Sequence, residues 1–177
     1  DNMTIVGKLS INEYKVTIIC GETQTFVFLP YGTNIQEYIN ENYQPEEGYT
    51  LNATFTHTFV PANDTAEVTV EYIPKEYVLT YSTTGSDSDL NGSIIVTFGS
   101  KILDKLPSTE KEGYEFNGWF IDGNKITEEF TMPSKDIDVN GTYNVLTYDV
   151  RVFDGTETIL EYSYVYKTKL SSVLNDN

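Results

Sequence analysis

The sequence predicts an α+β protein built from tandem copies of one small sheet-and-helix unit, and three observations carry that expectation. The segment Glu112-Gly113-Tyr114-Glu115-Phe116-Asn117-Gly118-Trp119-Phe120 recurs in weakened form at Glu47-Gly48-Tyr49-Thr50-Leu51-Asn52-Ala53-Thr54-Phe55. Alternating large apolar residues open three stretches, Tyr14-Lys15-Val16-Thr17-Ile18, Tyr77-Val78-Leu79-Thr80-Tyr81 and Tyr148-Asp149-Val150-Arg151-Val152, as half-buried strands do. Each opening leads to a second shared point, Tyr31-Gly32-Thr33-Asn34-Ile35, Phe98-Gly99-Ser100-Lys101-Ile102 and Tyr166-Lys167-Thr168-Lys169-Leu170, where a strand gives way to a short helix. The openings at 14, 77 and 148 lie 63 and then 71 residues apart, so the period is loose.

Within unit 14–76, alternation and punctuation place strands over Tyr14–Ile19 and Thr23–Leu29. A helix across Ile35, Tyr38 and Ile39 follows, then strands Tyr49–His57 and Ala66–Tyr72. Unit 77–147 repeats this with a strand Tyr77–Thr83, a turn Gly85–Gly92 and a return strand Ser93–Phe98. A helix capped by Ser100 is expected next, with Ile102, Leu103 and Leu106 as its apolar face and Pro107 as its stop. In the third strand Tyr114, Phe116, Gly118 and Phe120 alternate with Glu115, Asn117 and Trp119, and Val139–Val145 is the fourth strand. A hairpin, a helix and two more strands is the order of a β-grasp-like unit: about four strands, antiparallel or mixed, with a short helix on one face. Met3-Thr4-Ile5-Val6-Gly7-Lys8-Leu9 matches Ile137-Asp138-Val139-Asn140-Gly141-Thr142-Tyr143, so residues 1–13 are expected to hold the last strand of a preceding unit. Residues 148–177 supply two strands and a helix start of a partial third unit.

Units of this length fold with small cores, and 23 Phe and Tyr residues offset a modest 39% apolar fraction. The net charge of −16 is spread along the chain, which favours solubility and repels nucleic acid and anionic membrane. No run of 18 apolar residues occurs, so no direct membrane insertion is expected. The single cysteine, Cys20, excludes an internal disulfide and any site built from several cysteines.

The Gly-Tyr-x-Phe-x-Gly-Trp-Phe core over residues 113–120, Ile126-Thr127, and Phe130-Thr131-Met132-Pro133-Ser134-Lys135-Asp136 resemble the Listeria-Bacteroides repeat, also called the internalin-type B repeat. The likeness covers 77–147 well, whereas in 14–76 Ala53 and Thr54 stand in place of Gly118 and Trp119. It implies a compact β-grasp, SUMO-like module found in tandem on bacterial surface proteins, between a recognition domain and a cell-wall anchor. It brings no catalytic, cofactor or metal residues. Gly113, Tyr114, Phe116, Gly118, Trp119, Phe120 and Pro133 are then expected to serve packing and turns, with Gly118 making room for a neighbouring ring or backbone. Trp119 is expected to pack on its own sheet, the alternative being a weak sugar-stacking surface.

Other patterns are read in the same way. Asp87-Ser88-Asp89-Leu90-Asn91-Gly92 copies the first half of a calcium loop, but Phe98 stands where the bidentate Glu belongs, so a plain hairpin turn is expected. His57, the only histidine, is expected on a strand in a structural role, and Glu46-Glu47 and Glu128-Glu129 as solvated surface. The expected function is a non-enzymatic module of a bacterial cell-surface or cell-wall protein, extracellular, acting as stalk and adhesion surface without a cofactor. Expected partners are neighbouring repeats and surface proteins or glycans. The alternatives are a dedicated glycan- or protein-binding module using exposed aromatics, and an assembly module in which the partial unit is completed by another molecule's strands.

Overall fold

The computed structural model describes residues 7–169 and 171, and the chain divides into two compact units after Lys75. The first unit contains β1 (Glu13–Cys20), β2 (Thr23–Pro30), helix α1 (Ile35–Asn42), β3 (Tyr49–Phe55) and β4 (Ala66–Pro74). Its sheet has the order β2-β1-β4-β3, with β1 and β4 parallel at the centre and an antiparallel strand on each side. Alternation puts Val16, Ile18, Val68 and Val70 on the inner face, where Ile35 and Ile39 of α1 close the core. Asn34 caps the helix: its Oδ1 accepts from the backbone N–H groups of Gln36 (3.0 Å) and Glu37 (3.3 Å).

The second unit contains β5 (Glu76–Thr84), β6 (Asn91–Thr97), β7 (Tyr114–Ile121), β8 (Asn124–Lys125) and β9 (Ile137–Val145). Its sheet runs β6-β5-β9-β7-β8, again with a central parallel pair, β5 and β9, flanked by antiparallel partners. The short β8 is added at the edge through Asp122 and Gly123, both at positive φ (49° and 80°), as a two-residue hairpin loop demands. The connections correspond as well. Gly32 N–H donates to Val60 O (3.0 Å) as Gly99 N–H does to Met132 O (2.9 Å), and Lys75 N–H to Gly48 O (2.8 Å) as Leu146 N–H to Gly113 O (2.9 Å).

The helix expected from Ser100 to Leu106 is replaced by one 3-10 turn, Leu103–Lys105. Asn34 and Lys101 occupy matching positions, each bridging to the loop before the last central strand (Phe59 and Thr131). A lysine has no oxygen to accept from the next turn, Ser100 lies one residue too early, and Pro107 blocks continuation. Ile102 nonetheless takes the place of Ile35, both fully buried. The third strand of the first unit ends at Phe55, so His57 lies in the connection beyond it and not on a strand.

β10 (Thr147–Asp154) and β11 (Glu157–Val165) form a separate two-stranded antiparallel sheet in the second unit's part of the chain. It matches the β1–β2 hairpin: both close on a two-residue loop led by a glycine at positive φ (Gly21, 58°; Gly155, 65°). Tyr166 N–H donates to Leu146 O (2.8 Å) as Tyr31 N–H does to Asn12 O (2.9 Å). Of the strand expected at 3–9, residues 1–6 lie outside the described residues, and 7–12 run without regular structure. The helix expected after Tyr166 falls largely outside them too.

Candidate functional site

The motif strand β7 does not alternate as its spelling suggests. Its register against β9 shifts between Phe116, opposite Tyr143, and Gly118, opposite Thr142, a β-bulge that admits one extra residue. Gly118 takes φ 122°, a conformation that L side chains rarely adopt. The shift turns Trp119 onto the same face as Phe116, so Trp119 is 5% exposed and lies in the core with Leu79, Ile102 and Met132. Phe116 approaches the Trp119 ring at 5.2 Å and Tyr81 at 6.2 Å, both edge to face. Buried in this way, Trp119 has no face to offer a sugar, and the stacking surface named as its alternative role is corrected.

The role expected of Gly118 falls instead to Gly141. A Cβ there would lie 2.7 Å from the Phe116 ring and 3.0 Å from that of Trp119, whereas at Gly118 it would meet the flexible end of Lys125. The pairing also corrects the alignment of the copies. Trp119 stands opposite Gly141 as Ala53 stands opposite Val70, so Ala53 is the counterpart of Trp119 and the first unit simply lacks the bulge residue. Gly113, at φ 78°, turns the chain into β7, and a Cβ on it would lie 2.1 Å from the Tyr166 ring. Tyr114 packs edge-on between Tyr143 (6.2 Å) and Tyr166 (5.9 Å). Phe120 points to the other face and pairs with Asn140, while Pro133 follows the fully buried Met132 in the connection to β9. Asp136 Oδ1 accepts from Val78 N–H (2.7 Å) just before that strand begins.

Several oxygens of the 86–89 turn are taken by protein partners. Asp89 Oδ1 accepts from Ser86 N–H (3.2 Å) and Oγ (2.9 Å), Asp87 pairs with Lys167, and Lys111 Nζ donates to Ser86 Oγ (2.8 Å) and to Ser88. The Lys167 hydrogen bond holds the Asp87 carboxyl below its ordinary range, and Asp87 raises Lys167 in turn. Among the described residues no three His, Cys, Asp or Glu side chains converge as metal ligands would. His57 Nε2 lies 3.3 Å from Asp64 Oδ2 and Nδ1 3.1 Å from Thr56 Oγ1, both local contacts in one loop. Cys20 ends β1, partly buried against the first core.

Two hollows occupy matching places. One of about 410 Å³ in the first unit is lined by Gln44, Glu46, Tyr49 and Tyr72. The other, of about 520 Å³, is lined by Thr109–Glu112, Tyr114 and Phe116. Tyr49 N–H donates to Glu46 O (3.1 Å) as Tyr114 N–H does to Lys111 O (3.2 Å), and Tyr72 pairs with Leu51 as Tyr143 does with Phe116. Lys111 therefore matches Glu46, and Tyr143 matches Tyr72. Burial pushes the pKa of both tyrosine hydroxyls up, aided by Asp89 at Tyr143 and by Cys20, Tyr43 and Glu46 at Tyr72.

No protein-family model matches the chain, and a search of curated proteins gives no significant match. Sequence reasoning missed the bulge, the part played by Gly141 and the Lys111–Glu46 exchange. The Asn117-Gly118 pair signals an irregular strand, and Gly141 sits amid alternating apolar residues, where a glycine marks close approach. The lysine-for-glutamate exchange is visible only once the two copies are superposed through their pairing.

Proposed function

We propose that the chain is a non-enzymatic tandem-repeat module of a bacterial cell-surface protein, a stalk segment and adhesion surface made of β-grasp units of the Listeria-Bacteroides repeat type. The observation that supports this most is that the two sheets share strand order, strand direction and connecting hydrogen bonds at matching residues. Duplicated units add reach, and repeated weak contacts gain strength through multivalency. The second unit's most distinctive side chain, Trp119, serves the core, and the carboxylates of its long loop are used in turns and ion pairs.

An exposed aromatic pair supports the adhesive part of this reading. Phe26 and Phe28 stand 60% and 55% exposed on the outer face of β2, their rings 5.9 Å apart, with the Lys15 ammonium 4.6 Å from the Phe26 centroid. This pair favours protein contact as the adhesive half of the role. Force-extension of single molecules tests the stalk reading: two separate unfolding events are expected, one per unit. A single all-or-none event for the whole chain contradicts it.

A further inference from the structure

We propose that the hollow of the first unit formed by Tyr49, Tyr72, Gln44 and Glu46 binds an alkylammonium group, the head of a lysine side chain presented by a partner protein. This goes beyond the stalk role and does not rest on it. The argument is an internal comparison. In the second unit the Lys111 ammonium stands 5.0 Å from the centroid of the Tyr143 ring, a cation–π arrangement. Tyr143 is 5% exposed, packed against this ammonium and the rings of Phe116 (5.0 Å) and Tyr114 (6.2 Å).

In the first unit the matching tyrosine, Tyr72, is 38% exposed, and the residue matching Lys111 is Glu46. The ring that receives an internal cation in one copy thus faces, in the other, a hollow of about 410 Å³ rimmed by a carboxylate. An aromatic face and a carboxylate on one rim attract the same guest, a cation with an apolar stem. Lysine is the guest that the other copy already seats. Gln44 donates an amide N–H to Asn40 O, which leaves its side-chain oxygen as a further acceptor.

The test titrates the full chain with N-acetyl-lysine methylamide while the ring protons of Tyr72 are followed by NMR. Saturable shifts at Tyr72 in the millimolar range are expected, with N-acetyl-norleucine methylamide giving none. Glu46→Lys, which copies the second unit's lysine, is expected to set an internal ammonium over the Tyr72 ring, remove the rim carboxylate and weaken binding at least tenfold while the fold is retained. Lys111→Glu is expected to open a second site, read as new shifts at Tyr143. Absence of any saturable shift at Tyr72, equal binding of the norleucine compound, or undiminished binding by Glu46→Lys would each overturn the proposal. So would binding of tetramethylammonium without binding of the lysine compound.

Discussion

The two sheets of this molecule reach the same topology with different fillings. In the first, Ala53 faces Val70 across a regular ladder. In the second, Trp119 faces Gly141 across a bulge, and a large ring opposite no side chain replaces two small ones. The helix differs in the same spirit: α1 has its Asn34 cap and two turns, while the matching segment, with Lys101 at the cap position, keeps one 3-10 turn and leaves more of the core to aromatic rings. A sheet of this order therefore tolerates exchange of bulk between its third strand, its last strand and its cover, as cores do when total volume is kept.

The largest effect expected from breaking the comparison is that of Trp119→Ala, which leaves a cavity among Leu79, Ile102 and Met132. A loss of about 3–5 kcal/mol is expected, read in chemical denaturation by amide exchange of β5 and β9. The first unit's amides should be unaffected. Gly118→Ala should cost about 1–3 kcal/mol in the second unit, because φ 122° is strained for any residue with a Cβ. Asn34→Ala should cost the first unit about 1 kcal/mol through loss of two capping bonds, whereas Lys101→Ala, with no cap to lose, should change the second by only a few tenths.

Two smaller effects concern Tyr143. Its hydroxyl is buried without a hydrogen-bond partner among the described residues, so Tyr143→Phe should leave the second unit as stable or slightly more so. Its pKa is also raised in the folded state, chiefly by burial. The unfolded chain then ionises first, near the ordinary value of 10.0. The contribution is fully present below that pH and is lost as pH rises through the folded value. Denaturation midpoints should hold steady up to about pH 9 and fall beyond it, less steeply in Tyr143→Phe.

Much of the fold was legible because alternation and glycine turns are local signals. The Tyr14, Tyr77 and Tyr148 openings, the Ile35–Ile39 helix and the fourth strands all follow from spacing alone. What was not legible depended on register. Counting along the strand put Trp119 opposite in phase to Phe116, and only the pairing of Gly118 with Thr142 restores it to the core. The helix at Ile102 failed for a local reason, since its apolar spacing was present but its cap was not. In the candidate site, the turn role of Gly113 was readable, while the seating of Lys111 over Tyr143 required two loops distant in sequence to meet.

The claim that the two units are one design with compensating fillings is tested most directly by a double-mutant cycle in the second unit, Trp119→Ala with Gly141→Val, which writes the first unit's pair into the second. Each single change should be destabilising, the first by a cavity and the second by a clash with the Phe116 and Trp119 rings. Amide exchange of β5 and β9 in the double variant should then show a loss smaller than the sum of the two by at least about 1 kcal/mol. Strict additivity would contradict the account.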